Sequence, residues 1–397
     1  MPARPRERLR TLAPQLSAAV PVSVLFLGGL TVTLTAAQSL GLSASQTSSW
    51  IMALFGVPGA LSVILSFRYR QPLMVTGNIT ALIFFASLGA DVSFPELVGA
   101  SIVAAALVLV AGAAGFTGRI TSWIPAPIVM GLIAGAVLPF VWQVFTAMGT
   151  APAVVGSVLA AYVVSQRMLG TKVPPIFPAL VAGVIAAGVT GHFGDAPPGL
   201  ALPDAIRVVP SFSVGAIATT APVIAVLMTL QSNVPSVIYL RGQGYDPPER
   251  IINVASGGGT LVGSLFGPMA ASLAVVLVPL VGGPGAGRRD HRYRAVFASC
   301  IMVGLIAAGA KTATDLAMFV PSELIVSLAG LALIPVLTNA LGDTVRGPLR
   351  LGPVVAFATA LSDVSLLGLG PFFWSLALGT GISLVLERDG WTQIRDD

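Results

Sequence analysis

Apolar stretches about as long as a bilayer is thick follow one another from residue 16 to residue 387, with few charges inside them. A helix needs ~20 apolar residues to cross a hydrocarbon core of ~30 Å. In that solvent every backbone N–H and C=O must be satisfied within the protein, so only helices and closed barrels can span it. The short alternating strands of a barrel are absent. Charged residues make up 9% of the chain against about 25% in soluble domains, too few to cover a water-facing surface. The fold class is therefore an all-α integral membrane protein. The 44 Gly and 30 Pro residues suit membrane helices, whose neighbours re-satisfy freed backbone groups.

About 14 transmembrane spans can be drawn. The first seven are 16–39, 47–67, 72–89, 96–117, 124–146, 151–166 and 174–193. The rest are 212–236, 251–266, 269–284, 295–310, 322–340, 352–368 and 371–387. Seven per half is an odd number, so residues 212–397 enter the membrane inverted relative to residues 1–194, a 7+7 inverted repeat joined by an external linker at 195–211. Charge tests this independently. With both termini cytoplasmic, all of the 21 Lys and Arg residues except Arg207 and Lys311 fall on the inside, as the positive-inside rule requires. The net charge of +5 thus reflects topology and contact with anionic membrane lipids, and no nucleic acid is implied. Trp50, Trp123, Trp142, Trp374 and Trp391 fall mostly near span ends, where interfacial anchors sit.

One pattern occurs twice. Gln38 precedes an apolar span and then Gln71-Pro-Leu-Met-Val-Thr-Gly-Asn78; Gln231 precedes another and then Gly267-Pro-Met-Ala-Ala-Ser272. Proline resists helix upstream of itself, so spans 3 and 10 read as broken, each a short extended segment leading into a half-helix. Paired broken spans in the two halves point to a transporter's binding site. The candidate substrate-binding residues are Gln38, Met74, Thr76, Gly77 and Asn78 in the first copy. In the second they are Gln231, Pro268, Met269, Ala270, Ala271 and Ser272. Gln38 and Gln231 serve either as ligands or as helix-to-helix hydrogen bonds. Half-helix N-termini and amides without carboxylates favour an anion. Asp363 is either a proton carrier or an interfacial acid at a helix end. Metal-spaced His/Cys clusters, nucleotide motifs and catalytic constellations are missing, so the sequence indicates neither an enzyme nor a cofactor and disfavours an ATP-driven pump, leaving secondary transport or a channel.

These residues resemble the benzoate:proton symporter family along nearly the whole chain. The likeness rests on Gln231-Ser-Asn-Val-Pro, Leu240-Arg-Gly-Gln-Gly-Tyr245, Gly263-Ser-Leu-Phe-Gly-Pro-Met-Ala-Ala-Ser-Leu273, Gln71–Asn78 and Phe372-Phe-Trp-Ser-Leu-Ala-Leu. More distantly the chain is similar to nucleobase–ascorbate transporters. That resemblance implies core spans within 16–117 and 212–310 and gate spans within 124–193 and 322–387. It also implies substrate between the two against spans 3 and 10, a homodimer and an elevator motion. Nucleobase carriers place glutamates in spans 8 and 10, where this chain has Gln231 and Met269–Ala274. The expectation is an inner-membrane importer of benzoate or a related aromatic acid with protons, its carboxylate held by Gln231, Ser272 and half-helix N–H groups. Met74 and Met269 are expected to cover the ring. A same-fold carrier of a nucleobase or inorganic anion, an exporter and an uncoupled channel stay open.

Overall fold

The computed structural model describes residues 5–88, 92–121, 123–168, 175–194, 201–312, 320–362, 364, 366–367 and 369–396. The first half runs α1 (Pro5–Ser39), α2 (Ala44–Tyr69), β1 (Val75–Gly77), α3 (Ile79–Ser87), α4 (Phe94–Ala113), α5 (Phe116–Thr121), α6 (Ala126–Thr150), α7 (Pro152–Met168) and α8 (Ile176–Thr190). The second runs α9 (Val214–Met228), a π-helical turn (Thr229–Asn233), α10 (Val234–Gly242), α11 (Glu249–Gly263), β2 (Ala271–Leu273), α12 (Leu277–Gly282) and α13 (Tyr293–Ala308). It ends with α14 (Ser322–Val345), α15 (Leu351–Leu361), α16 (Pro371–Leu386) and α17 (Arg388–Asp396). Six helical stretches among the described residues are long and apolar enough to cross a membrane: Ala13–Ser39, Ala44–Tyr69, Phe94–Ala113, Ala126–Thr150, Val214–Gly242 and Ser322–Val345.

Local chemistry sets the helix starts. Ser43 and Gln46 form a reciprocal capping box at the head of α2, and Ser93 with Glu96 does the same for α4. At the other end of the molecule Glu387 accepts the N–H groups of Leu351 (2.8 Å) and Gly352 (3.0 Å), capping α15 from beyond α16.

Packing falls into two neighbourhoods. α4 lies along α11 and α9, and α2 along α13; separately, α6 lies along α14 and α15, which packs on α16, while α7 pairs with α8. In the second set the helix backbones nearly touch. A methyl group at Gly131 would overlap the Pro353 carbonyl, and one at Gly330 would overlap that of Phe140. Small residues at crossings let membrane helices approach closely, because burial against lipid offers no hydrophobic gain.

Spans 3 and 10 are broken as their prolines require, and the extended pieces find each other. β1 and β2 pair antiparallel, with Val75 opposite Leu273, Thr76 opposite Ser272 and Gly77 opposite Ala271. Asn78 N–H to Ala270 O (2.8 Å) and Ala274 N–H to Met74 O (3.0 Å) extend the ladder. A two-stranded sheet has two open edges, which cannot be left bare away from water. Side chains take up most of the N–H groups along them. On the β1 side Ser62 Oγ accepts the Val75 N–H (2.8 Å) and Ser66 Oγ that of Leu73 (3.1 Å), both from α2. On the β2 side Thr260 Oγ1 accepts from Ala271 (2.9 Å), Asn233 Oδ1 from Leu273 (2.8 Å) and Ser101 Oγ from Met269 (3.2 Å). The strands are thereby fastened to α2, α4, α11 and the π turn.

Trp50 corrects an expectation. It is fully buried, donates its indole N–H to Pro268 O (2.8 Å) and stands edge-on to Phe94. It braces the entry to β2, where Gly267 (φ 155°) has no room for a side chain against that indole. Trp391 is likewise buried, whereas Trp123 and Trp142 are exposed.

Candidate binding site

A cavity of about 350 Å³ opens where the sheet faces α1, α6, α14 and the head of α16. Its size falls at the lower end of the range of about 300–1,000 Å³ for small-molecule sites. One end is polar. Thr76 and Ser272, opposite each other across the strand pair, line it with Asn78, Thr80 and Ser232. The rest is apolar and aromatic, with Phe26, Phe55, Phe140 and Phe372 in the walls; the rings of Phe26 and Phe55 meet edge-on with centroids 6.0 Å apart. Thr33 and Gln143 are the other polar lining residues, and no described lining residue is charged.

Asn78 organises the polar end. Its Oδ1 accepts the Ala81 N–H (3.1 Å) and so caps α3. Its Nδ2 donates toward Ser232 Oγ (2.8 Å), Ser272 Oγ (3.2 Å) and Leu227 O (3.2 Å). With Ala81 satisfied by the cap and Leu82 bonded to Asn78 O, the remaining N–H groups of the first helical turn belong to Ile79 and Thr80, both cavity-lining residues. A helix start of this kind attracts negative charge. The second half is not equivalent here, because the helix after β2 is only the six residues of α12.

The π turn explains how three consecutive polar residues all reach the site. Gln231 Nε2 donates to Thr80 Oγ1 (3.0 Å), Ser232 receives the Asn78 amide, and Asn233 accepts from β2. Asn233 Nδ2 in turn donates to Asn253 Oδ1 (3.0 Å) and Ser256 Oγ (3.2 Å). Single π-helical turns inside longer helices frequently mark functional sites. Gln231 is 1% exposed, its Oε1 has no hydrogen-bond partner, and Gly370 at the head of α16 lies against its amide.

The residues picked from sequence divide accordingly. Thr76, Gly77, Asn78 and Ser272 line the cavity, and Gln231 stands behind Thr80 at its edge. Gln38 does not belong: it is exposed on the last turn of α1, while Gly28, Gly29, Val32 and Thr33 of that helix reach the cavity. Met74 and Met269 do not cover a ligand ring either. Both are fully buried away from the lining, and Met269 packs on Gly263. Pro268, Ala270 and Ala271 are also outside the lining and contribute main chain, accepting from Trp50, accepting from Asn78 and pairing with Gly77. Asp363 lies outside the described residues. The four phenylalanines, Thr80 and Asn233 were not picked out, because isolated Phe residues in apolar spans look like any lipid-facing ones. Asn233 gave a signal, as a second amide beside Gln231.

A sequence profile described as Benzoate membrane transport protein matches residues 11–385. The chain belongs to that family. The likeness read from the span-8 and span-10 motifs holds along the chain. The Benzoate membrane transport protein of Acinetobacter baylyi is 26% identical over 372 residues, covering 93% of this chain and 94% of its own. The inner membrane protein YdcO of Escherichia coli is 25% identical over 362 residues, covering 89% and 90%. Among solved structures, the murine Slc26a9 anion transporter in its inward-facing state superposes with a TM-score of 0.56 at 14% identity, covering 95% of this chain and 68% of that one. Another SLC26A9 structure gives 0.50 at 14% identity, with 94% and 64% covered. The protein is a membrane transporter of the benzoate family with a fold like that of these anion transporters.

Proposed function

We propose that this transporter imports benzoate or a closely related aromatic carboxylate together with protons across the inner membrane. The observation that carries the reading is the cavity's division into an uncharged polar end and an aromatic body. The carboxylate takes the Thr76, Asn78, Thr80 and Ser272 end with the first N–H groups of α3, and the ring lies among the four phenylalanines. A cation would find no counter-charge among the described lining residues, and an inorganic anion would leave the phenylalanine walls unused. Family membership supports the substrate class.

The rest of the reading follows the chain's organisation. Fourteen crossings form two inverted halves, with both termini cytoplasmic. The strand-bearing neighbourhood is a core that moves against the tightly packed gate helices in an elevator motion, and the gate helices make a homodimer. Since no described lining residue is ionisable, the co-transported proton needs an acid away from the lining, and Asp363 keeps that role.

Uptake of labelled benzoate into proteoliposomes tests the reading. Benzoic acid crosses lipid unaided, so protein-free vesicles are the control. Protein-dependent accumulation driven by an inward proton gradient and abolished by a protonophore is expected. Equilibration without accumulation would make the protein an uncoupled pathway, and no protein-dependent flux of any aromatic acid would refute the substrate class.

A further inference from the structure

A second groove, of about 490 Å³, lies on the other side of the residues that bound the central cavity. Its inner wall is Leu230 and Phe373, the chain neighbours of Gln231 and Phe372. Along α16 it is lined by Leu376, Ala377, Thr380, Gly381 and Leu384, and its far side is Ile124 with Trp123 and Arg119 at the mouth. The groove therefore sits at the junction of the strand-bearing helices and the gate helices.

We infer that this groove holds an acyl chain of an anionic phospholipid, with Arg119 at the headgroup. Three observations support that occupant. The walls are apolar along two turns of α16, as an acyl chain requires. Arg119 is exposed at the mouth, on the side to which the sequence assigns the basic loops, and Trp123 beside it is 56% exposed, as an interfacial tryptophan is. Lastly, nothing lies within 4 Å of where a Cβ at Gly381 would stand, so that wall is open. A lipid wedged here touches both bodies of the proposed elevator. The anionic-lipid content of the membrane then adjusts how readily they slide, whichever acid is carried.

The full chain is reconstituted in phosphatidylcholine vesicles containing the same fraction of brominated phosphatidylglycerol or brominated phosphatidylcholine. The quenching of Trp123 is taken as the difference between wild type and Trp123→Phe. One basic residue near the membrane surface gives roughly fivefold enrichment of an anionic lipid. Brominated phosphatidylglycerol is expected to quench Trp123 by that factor more effectively. Arg119→Gln should equalise the two lipids. Gly381→Leu, which fills space that is already free, should lower quenching by both without disturbing the fold. Equal quenching in the wild type would overturn the proposal, leaving only bulk lipid. Relief of quenching by added benzoate would also overturn it, by making the groove an acid site.

Discussion

Replacing Asn78 by Asp tests the sign of the cargo's charge with almost no change of shape. The side chain keeps its length, and Asp caps a helix as well as Asn does, so the Ala81 N–H stays satisfied. Ser232 and Ser272 can turn their hydroxyls to donate to the new oxygen, leaving the Leu227 carbonyl as the one group facing a like partner. What changes is a negative charge at the polar end of the cavity. A bound carboxylate about 5 Å away, at an effective dielectric of about 20, is repelled by about 3 kcal/mol. That is roughly a hundredfold loss of affinity. The assay is equilibrium binding of benzoate to purified protein, without a proton gradient, as a function of pH. Binding should be weak at neutral pH and recover as the pH falls and the new carboxyl takes up a proton. A folded variant that binds as tightly as wild type at neutral pH would remove the anion from Asn78. A cationic ligand would gain by the same factor, so tighter binding would refute the reasoning altogether.

Three further outcomes follow from the same geometry. Asn233→Leu leaves the Leu273 N–H and the Asn253 Oδ1 without partners, at about 1–3 kcal/mol each, and should lower the thermal unfolding temperature in detergent and abolish binding. Gly330→Ala drives a methyl into the Phe140 carbonyl and should destabilise the α6–α14 crossing by about 1–3 kcal/mol, read as loss of monodisperse protein on heating, while Gly342→Ala, in open space on the same helix, should be silent. Gln231→Ala and Thr80→Val should each weaken benzoate uptake and, because they break one shared hydrogen bond, the double variant should be little worse than either; additive losses would show that the two residues act separately.

The parts of this protein that could be read from residues alone are those imposed by the solvent. A hydrocarbon surround forces helices, forces Pro72 and Pro268 to interrupt them, and makes each amide inside a span conspicuous. The broken segments, and the place of Thr76, Asn78 and Ser272 on them, were therefore visible. The equivalence of Gln38 with Gln231 was not sound, because spacing along a helix gives no information on depth: Gln38 is on the exposed last turn of α1, whereas the reaching residues of that helix are Leu25, Phe26, Gly28, Gly29, Val32 and Thr33. The methionines misled for a related reason. Side chains alternate along an extended segment, and which of them meet open space depends on the helices stacked against the strands, here Gly263 behind Met269. The aromatic walls come from four different helices, and no local pattern brings Phe26, Phe55, Phe140 and Phe372 together.

The strand pair also bears on electrical tightness. If transport is coupled to protons as proposed, ions must not short-circuit the gradient, and the weakest place is wherever helices stop and polar main chain faces the interior. Here the N–H groups of Leu73, Val75, Met269, Ala271 and Leu273 are already committed to Ser66, Ser62, Ser101, Thr260 and Asn233, so no continuous row of free N–H donors is left to order a file of water. The same five side chains that hold the site in shape are its insulation.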